Sequence, residues 1–67
     1  MGRMLLLLST LHKSGFLSLE QKNQLKDLAI ARDKLVFSAL EAFAADEDRD
    51  LMEVADTFRR ISKLRQR

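Results

Sequence analysis

The chain has 67 residues, no cysteine and one histidine, and its 12 basic and 10 acidic side chains leave a net charge of +2. This length allows one hydrophobic core, and the lack of cysteine excludes a disulfide framework or a thiolate metal site. With 46% hydrophobic residues, no proline and two glycines, the composition predicts one all-α domain over residues 1–67, complete or part of a longer protein.

The first predicted helix covers residues 3–14, where apolar residues recur at helical spacing. Gly15 follows directly and is suited to the left-handed conformation that ends many helices. Leu6 and Leu7 widen the apolar surface beyond one face, so we expect them to contact a partner. The apolar run is too short for a secretory signal or a membrane span, and we expect an intracellular protein, cytoplasmic or nuclear.

Two helices are predicted in the middle of the chain, over residues 19–32 and 34–45. Ser18 and Gln21 form the Ser-x-x-Gln pattern of a capping box before the first of them. Asp33 lies between two apolar stripes and is a suitable N-cap for the second, which favours a break there. No glycine or proline intervenes, so one unbroken helix in a dimer is the alternative.

The fourth predicted helix covers residues 50–65 and has the clearest amphipathic pattern of the chain. Asp50 is a suitable N-cap, and Glu53 stands three residues later, as in a capping box. Together the patterns predict a small bundle of four short helices joined by three short connections.

The acidic loop before this helix resembles the start of a calcium-binding loop. Asp46, Asp48 and Asp50 have the alternating spacing of an EF-hand. However, Leu51 stands where the sharp turn needs glycine, and Thr57 stands where a bidentate glutamate closes the site. We therefore expect Asp48 and Asp50 to cap the helix and the remaining carboxylates to solvate the loop, with no metal bound.

Charge is unevenly distributed along the last helix, with carboxylates near its start and cations near its end. This order stabilises the helix macrodipole, which is a sufficient explanation. It also allows two functional interpretations: antiparallel pairing with a copy of the same helix, or contact with a phosphate backbone. The candidate nucleic-acid contacts are Arg59, Arg60, Lys63, Arg65 and Arg67.

Residues suited to catalysis are sparse. His12 has no second imidazole to share a metal, and no acid or nucleophile can be matched to it. The serines lack a glycine-flanked elbow, and there is no glycine-rich phosphate loop. We predict neither enzymatic activity nor a cofactor. Ser62 follows two arginines in a pattern that basophilic kinases favour, although a helical serine is a poor substrate.

A surplus of apolar residues is the strongest functional signal. The chain is too small to bury all of them easily, and a scaffold this short usually needs a staple or a partner. We therefore predict a protein-interaction or self-association module, with a nucleic-acid-binding bundle as the alternative. The predicted partner contacts are Leu6, Leu7, Phe37 and Met52.

Overall fold

The computed structural model describes residues 2–66 and confirms the all-α prediction. Its four helices begin and end within two residues of the predicted bounds. The alternative of one unbroken helix over residues 19–45 is wrong. No helix in the described range is long and apolar enough to cross a lipid bilayer. The helices are α1 (Gly2–Lys13), α2 (Leu19–Ile30), α3 (Lys34–Ala45) and α4 (Leu51–Arg65).

Helix α1 ends at the glycine that the sequence indicated. Gly15 has φ 84°, and its N–H donates to the carbonyl of His12 at 3.0 Å. The N–H of Phe16 donates to the carbonyl of Leu11 at 2.9 Å, which completes a Schellman motif. The ring of His12 adds a 2.9 Å hydrogen bond between its Nδ1 and the carbonyl of Leu17. The turn between α1 and α2 is thus closed by the backbone and one side chain.

The start of α2 carries the predicted capping box, and the start of α4 carries the predicted N-cap without the reciprocal bond from Glu53. Ser18 Oγ accepts from the N–H of Gln21, and Ser18 N donates to Gln21 Oε1, each at 3.0 Å. Asp50 Oδ1 accepts from the N–H of Met52 at 3.0 Å. Each cap satisfies amide groups that the first turn of a helix leaves without intrahelical partners.

The break between α2 and α3 is a second Schellman motif. Arg32 adopts the left-handed conformation with φ 63°, and its N–H donates to the carbonyl of Ala29 at 3.1 Å. The N–H of Asp33 donates to the carbonyl of Leu28 at 2.9 Å, and its Oδ1 accepts from the N–H of Val36 at 3.2 Å. Asp33 therefore ends one helix and caps the next. The left-handed residue is an arginine, which explains why the sequence placed the end of α2 two residues too late.

The core is formed by all four helices and the first turn, and it is centred on Phe58, which is fully buried. The ring of Phe43 contacts that of Phe58 edge-to-face, with 6.0 Å between the centroids. The buried hydrophobic residues are Leu7, Leu8, Leu11, Leu17, Leu25, Ala29, Val36, Leu40, Val54, Ala55, Phe58 and Ile61.

Leu7 differs from its prediction. It is 3% exposed and belongs to the core, whereas its neighbour Leu6 is 64% exposed. Successive residues point about 100° apart around a helix, and the side of α1 that faces the bundle includes Leu7, Leu8 and Leu11 but not Leu6. Leu7 is therefore a core residue and not the exposed contact that we predicted, although its edge lines a cavity beside Leu6.

Candidate interaction surfaces

Two arginines of α4 hold the turns between the other helices. Arg59 Nη1 donates to the carbonyl of Phe16 at 3.0 Å, and the same guanidinium is paired with Asp56. Arg65 Nε lies 2.9 Å from Asp33 Oδ2, and Arg65 Nη2 donates to Asp33 Oδ1 at 3.3 Å. Two of the predicted nucleic-acid contacts therefore already bind groups of the protein itself.

Asp33 combines a cap and an ion pair. The N–H of Val36 lowers the pKa of its carboxyl below the ordinary value; burial acts in the opposite direction, and the Arg65 guanidinium and the N–H of Leu35 lower it further. The folded chain therefore favours the ionised carboxylate at this position, and the carboxylate connects the start of α3 to the end of α4.

Helices α3 and α4 lie antiparallel, since Phe43 contacts Phe58 while Asp33 contacts Arg65. The start of α3 and the end of α4 consequently form one end of the bundle. We call this the basic end because four exposed cations lie on it, with the carboxylate of Asp33 among them. The cations of the basic end are Arg32, Lys34, Lys63 and Arg65.

Exposed apolar side chains accompany these cations. Leu35 and Leu64 lie within two residues of the Asp33–Arg65 ion pair, and Leu64 is 70% exposed. Ile30, at the end of α2, is also exposed. Leu35 and Leu64 continue the apolar stripes of α3 and α4, which predicts burial, yet both are exposed. Both lie at the edge of their stripe, where helical periodicity does not determine whether a neighbouring helix covers the side chain.

The other end of the α3–α4 hairpin is acidic. Six exposed carboxylates lie there, with Arg3 and Arg49 as the nearby cations. Leu6 lines a cavity of about 320 Å³ together with Glu47 and Arg49, so this leucine lies against the loop. Met52 follows the cap of α4 and is 59% exposed. We call this surface the acidic end; its carboxylates are Glu41, Asp46, Glu47, Asp48, Asp50 and Glu53.

The predicted partner contacts thus separate into three environments. Leu6 and Met52 are exposed at the acidic end, and Leu7 is in the core. Phe37 is half-buried, with the guanidinium carbon of Arg32 5.0 Å from its ring centroid. The four residues do not form one surface, and the exposed leucines of the basic end were missed.

Three of the candidate nucleic-acid contacts lie side by side on α4. Arg60 and Lys63 are exposed and line a cavity of about 340 Å³ that also contains Asp56 and Arg59. The carboxylate in this cavity reduces its attraction for phosphate. Arg67 lies outside the described residues.

Ser62 is buried, with 1% exposure. Its hydroxyl donates to Gln24 Oε1, and Gln24 Nε2 donates to the carbonyl of Ser62 at 3.3 Å. A kinase would have to displace the last turns of α4 before it could reach this hydroxyl. Packing of α4 on α2 therefore accounts for the serine of the pattern Arg59-Arg60-Ile61-Ser62.

The acidic loop uses its carboxylates locally. Asp46 Oδ1 accepts from the N–H of Asp48 at 3.0 Å, and Arg49 Nη1 donates to the carbonyl of Asp46 at 3.0 Å. Between residues 2 and 66, no group of three or more histidine, aspartate or glutamate side chains is arranged to hold a metal ion. Two carboxylates of the loop therefore have structural roles: Asp46 closes the turn, and Asp50 caps α4.

Comparison with known proteins does not add a family to this description. No family model, no curated protein and no solved structure matches the chain.

Proposed function

We propose that this chain is a non-catalytic helical module that binds another protein, or a copy of itself, through its two charged ends. The observation that supports this proposal is that large apolar side chains remain exposed although the core is complete. They are Ile30, Leu35 and Leu64 at the basic end and Leu6 and Met52 at the acidic end.

Exposed apolar residues that are scattered singly are ordinary on protein surfaces. Among the described residues, five of the six large exposed ones lie at one or the other charged end of the bundle, and Leu19 is the exception. Apolar side chains within a polar and charged rim are typical of surfaces that recognise other proteins. The intracellular setting of this function remains a prediction from the sequence.

The proposal is tested with a variant in which Leu6, Met52 and Leu64 are each replaced by glutamine. Because these side chains are exposed, we expect the variant to fold as the wild type does, by circular dichroism and thermal melting. The two proteins are then compared by sedimentation velocity over the micromolar range and as baits in a cell extract.

We expect the wild type to form larger species, or to retain a defined protein that the glutamine variant does not retain. A wild type that stays monomeric and retains the same proteins as the variant would contradict the proposal. The variant is a matched control, since it keeps the charge and the core of the wild type.

Nucleic-acid binding is the second candidate, supported by the exposure of Arg60 and Lys63 beside Arg59. The engagement of Arg59 and Arg65 by Phe16 and Asp33 weakens it. Binding of this kind falls steeply with salt, so no interaction with duplex DNA or RNA at about 50 mM salt would eliminate it. A positive result should be lost in the double variant Arg60→Gln/Lys63→Gln.

A further inference from the structure

The two ends of the bundle are complementary to each other in charge and in apolar content. The basic end carries four exposed cations beside the carboxylate of Asp33, and the acidic end carries six exposed carboxylates beside Arg3 and Arg49, so the two ends keep net charges of opposite sign. Both carry exposed apolar side chains, with Leu35 and Leu64 at one end and Leu6 and Met52 at the other.

One molecule does not satisfy this complementarity within itself. Helix α3 has 12 residues, which corresponds to a separation of about 18 Å between the ends of the hairpin. Opposite charges at the surface are largely screened beyond about 8–10 Å at physiological salt. Each end therefore remains available to a second molecule.

We propose that this protein associates head to tail, with the basic end of one copy docked on the acidic end of the next. This inference rests on the proposed function and names the partner as a second copy of the chain. Each contact buries Leu35 and Leu64 of one copy against Leu6 and Met52 of the other, within a rim of opposite charges.

Charge decides between this arrangement and a two-fold dimer that joins like ends. A two-fold contact places the same surface patch on both sides. At the basic end it would oppose cations to cations, and at the acidic end carboxylates to carboxylates, which disfavours association. A head-to-tail contact leaves one end of each kind unused, so copies add until the assembly closes into a ring or grows as a chain.

The test uses two variants, each with one end blocked. The basic-end variant is Leu35→Glu/Leu64→Glu, and the acidic-end variant is Leu6→Lys/Met52→Lys. All four positions are exposed, and the core is unchanged. Folding is checked by circular dichroism, and assembly is measured by sedimentation equilibrium at increasing concentration and at two salt concentrations.

We expect the average mass of the wild type to rise beyond a dimer with concentration and to fall with added salt. Each variant alone should remain monomeric. An equimolar mixture should stop at twice the monomer mass, because one variant keeps only its acidic end and the other keeps only its basic end.

Three results would overturn the head-to-tail arrangement. These are a wild type that stops at a dimer, a single variant that still associates alone, and a mixture that remains monomeric. A wild type that is monomeric yet retains a partner protein that the glutamine variant loses would overturn this inference alone, and the proposed function would stand.

Discussion

Two turns of the molecule end a helix in the same way but with different residues. They are the turn between α1 and α2 and the turn between α2 and α3. Both are Schellman motifs, and each is held by an arginine of α4, Arg59 at the first and Arg65 at the second. The first turn has Gly15 at its left-handed position, whereas the second has Arg32. A residue other than glycine at that position costs about 1–2 kcal/mol.

The two turns also differ in how deeply their leucines are buried. Leu17 in the first turn is buried in the core, whereas Leu35, just after the second, is exposed. The strained Arg32 places its guanidinium over the ring of Phe37 and adds a cation to the basic end. The first turn therefore combines an unstrained glycine with a buried leucine. The second has an exposed arginine side chain that a glycine at the same position would lack.

The largest expected difference between the turns comes from their leucines. Leu17→Ala should lower the free energy of unfolding by about 2–5 kcal/mol, because it leaves a cavity in the core. Leu35→Ala, the matched control, should change it by less than about 0.5 kcal/mol. Urea denaturation of both variants measures the difference, and equal losses would show that the two turns are equally packed.

The glycine of the first turn is the next point of comparison. Gly15→Ala should lower the free energy of unfolding by about 1–2 kcal/mol. The added Cβ would meet no atom within 4 Å, so the cost is conformational and not steric. Gly2→Ala, at the start of α1, is the control and should not destabilise the protein. Similar losses for both variants would mean that the left-handed conformation is not the cause.

Two variants of Arg32 distinguish the cost of backbone strain from the contribution of the side-chain contact. Arg32→Ala removes the contact with Phe37, worth about 0.5–1 kcal/mol at an exposed site, and keeps the strain. Arg32→Gly removes the same contact but relieves the strain, so it should be more stable than the alanine variant by about 1 kcal/mol. Urea denaturation ranks the two, and an alanine variant as stable as the glycine variant would argue against strain.

The carboxyl of Asp33, whose pKa is lowered first by the N–H of Val36 and then by Arg65, predicts a dependence of stability on pH. Because the pKa of Asp33 is lowered in the folded chain, its carboxylate stabilises the protein above the pKa of the unfolded chain. This contribution is lost as the pH falls through the folded pKa, below about pH 4. Asn remains a good N-cap, so Asp33→Asn isolates the effect of charge.

We expect wild type and Asp33→Asn to differ most in thermal stability near neutral pH and to converge in acid. The same titration of Asp27→Asn gives the control, since Asp27 is exposed on α2. A gap between wild type and Asp33→Asn that is constant from neutral pH into acid would contradict the role of the carboxylate.

The helix bounds could be predicted because their signals are local. Ser18, Asp33 and Asp50 cap amides within three residues of themselves, and Gly15 is the residue that the left-handed position favours. The predicted end of α2 was two residues too late because Arg32 carries no such signal. Its conformation is imposed by the turn to α3.

The candidate surfaces could be predicted only in part. The surplus of apolar residues was visible, and Leu6 and Met52 were correctly placed outside the core. Leu35 and Leu64 were missed because both continue an apolar stripe. Whether the edge of a stripe is covered depends on how far the next helix extends beside it.

The sequence by itself determined four helices, their caps and the segregation of charge along α4, because propensity, capping and the macrodipole act within a few residues. Only the tertiary structure decided which of Leu6 and Leu7 is buried and which acceptors Arg59 and Arg65 bind. It also decided that Arg32 and Lys34 join the end of α4 to form the basic end. These outcomes depend on the antiparallel packing of α3 and α4, which brings together residues about 30 positions apart in the chain, such as Asp33 and Arg65.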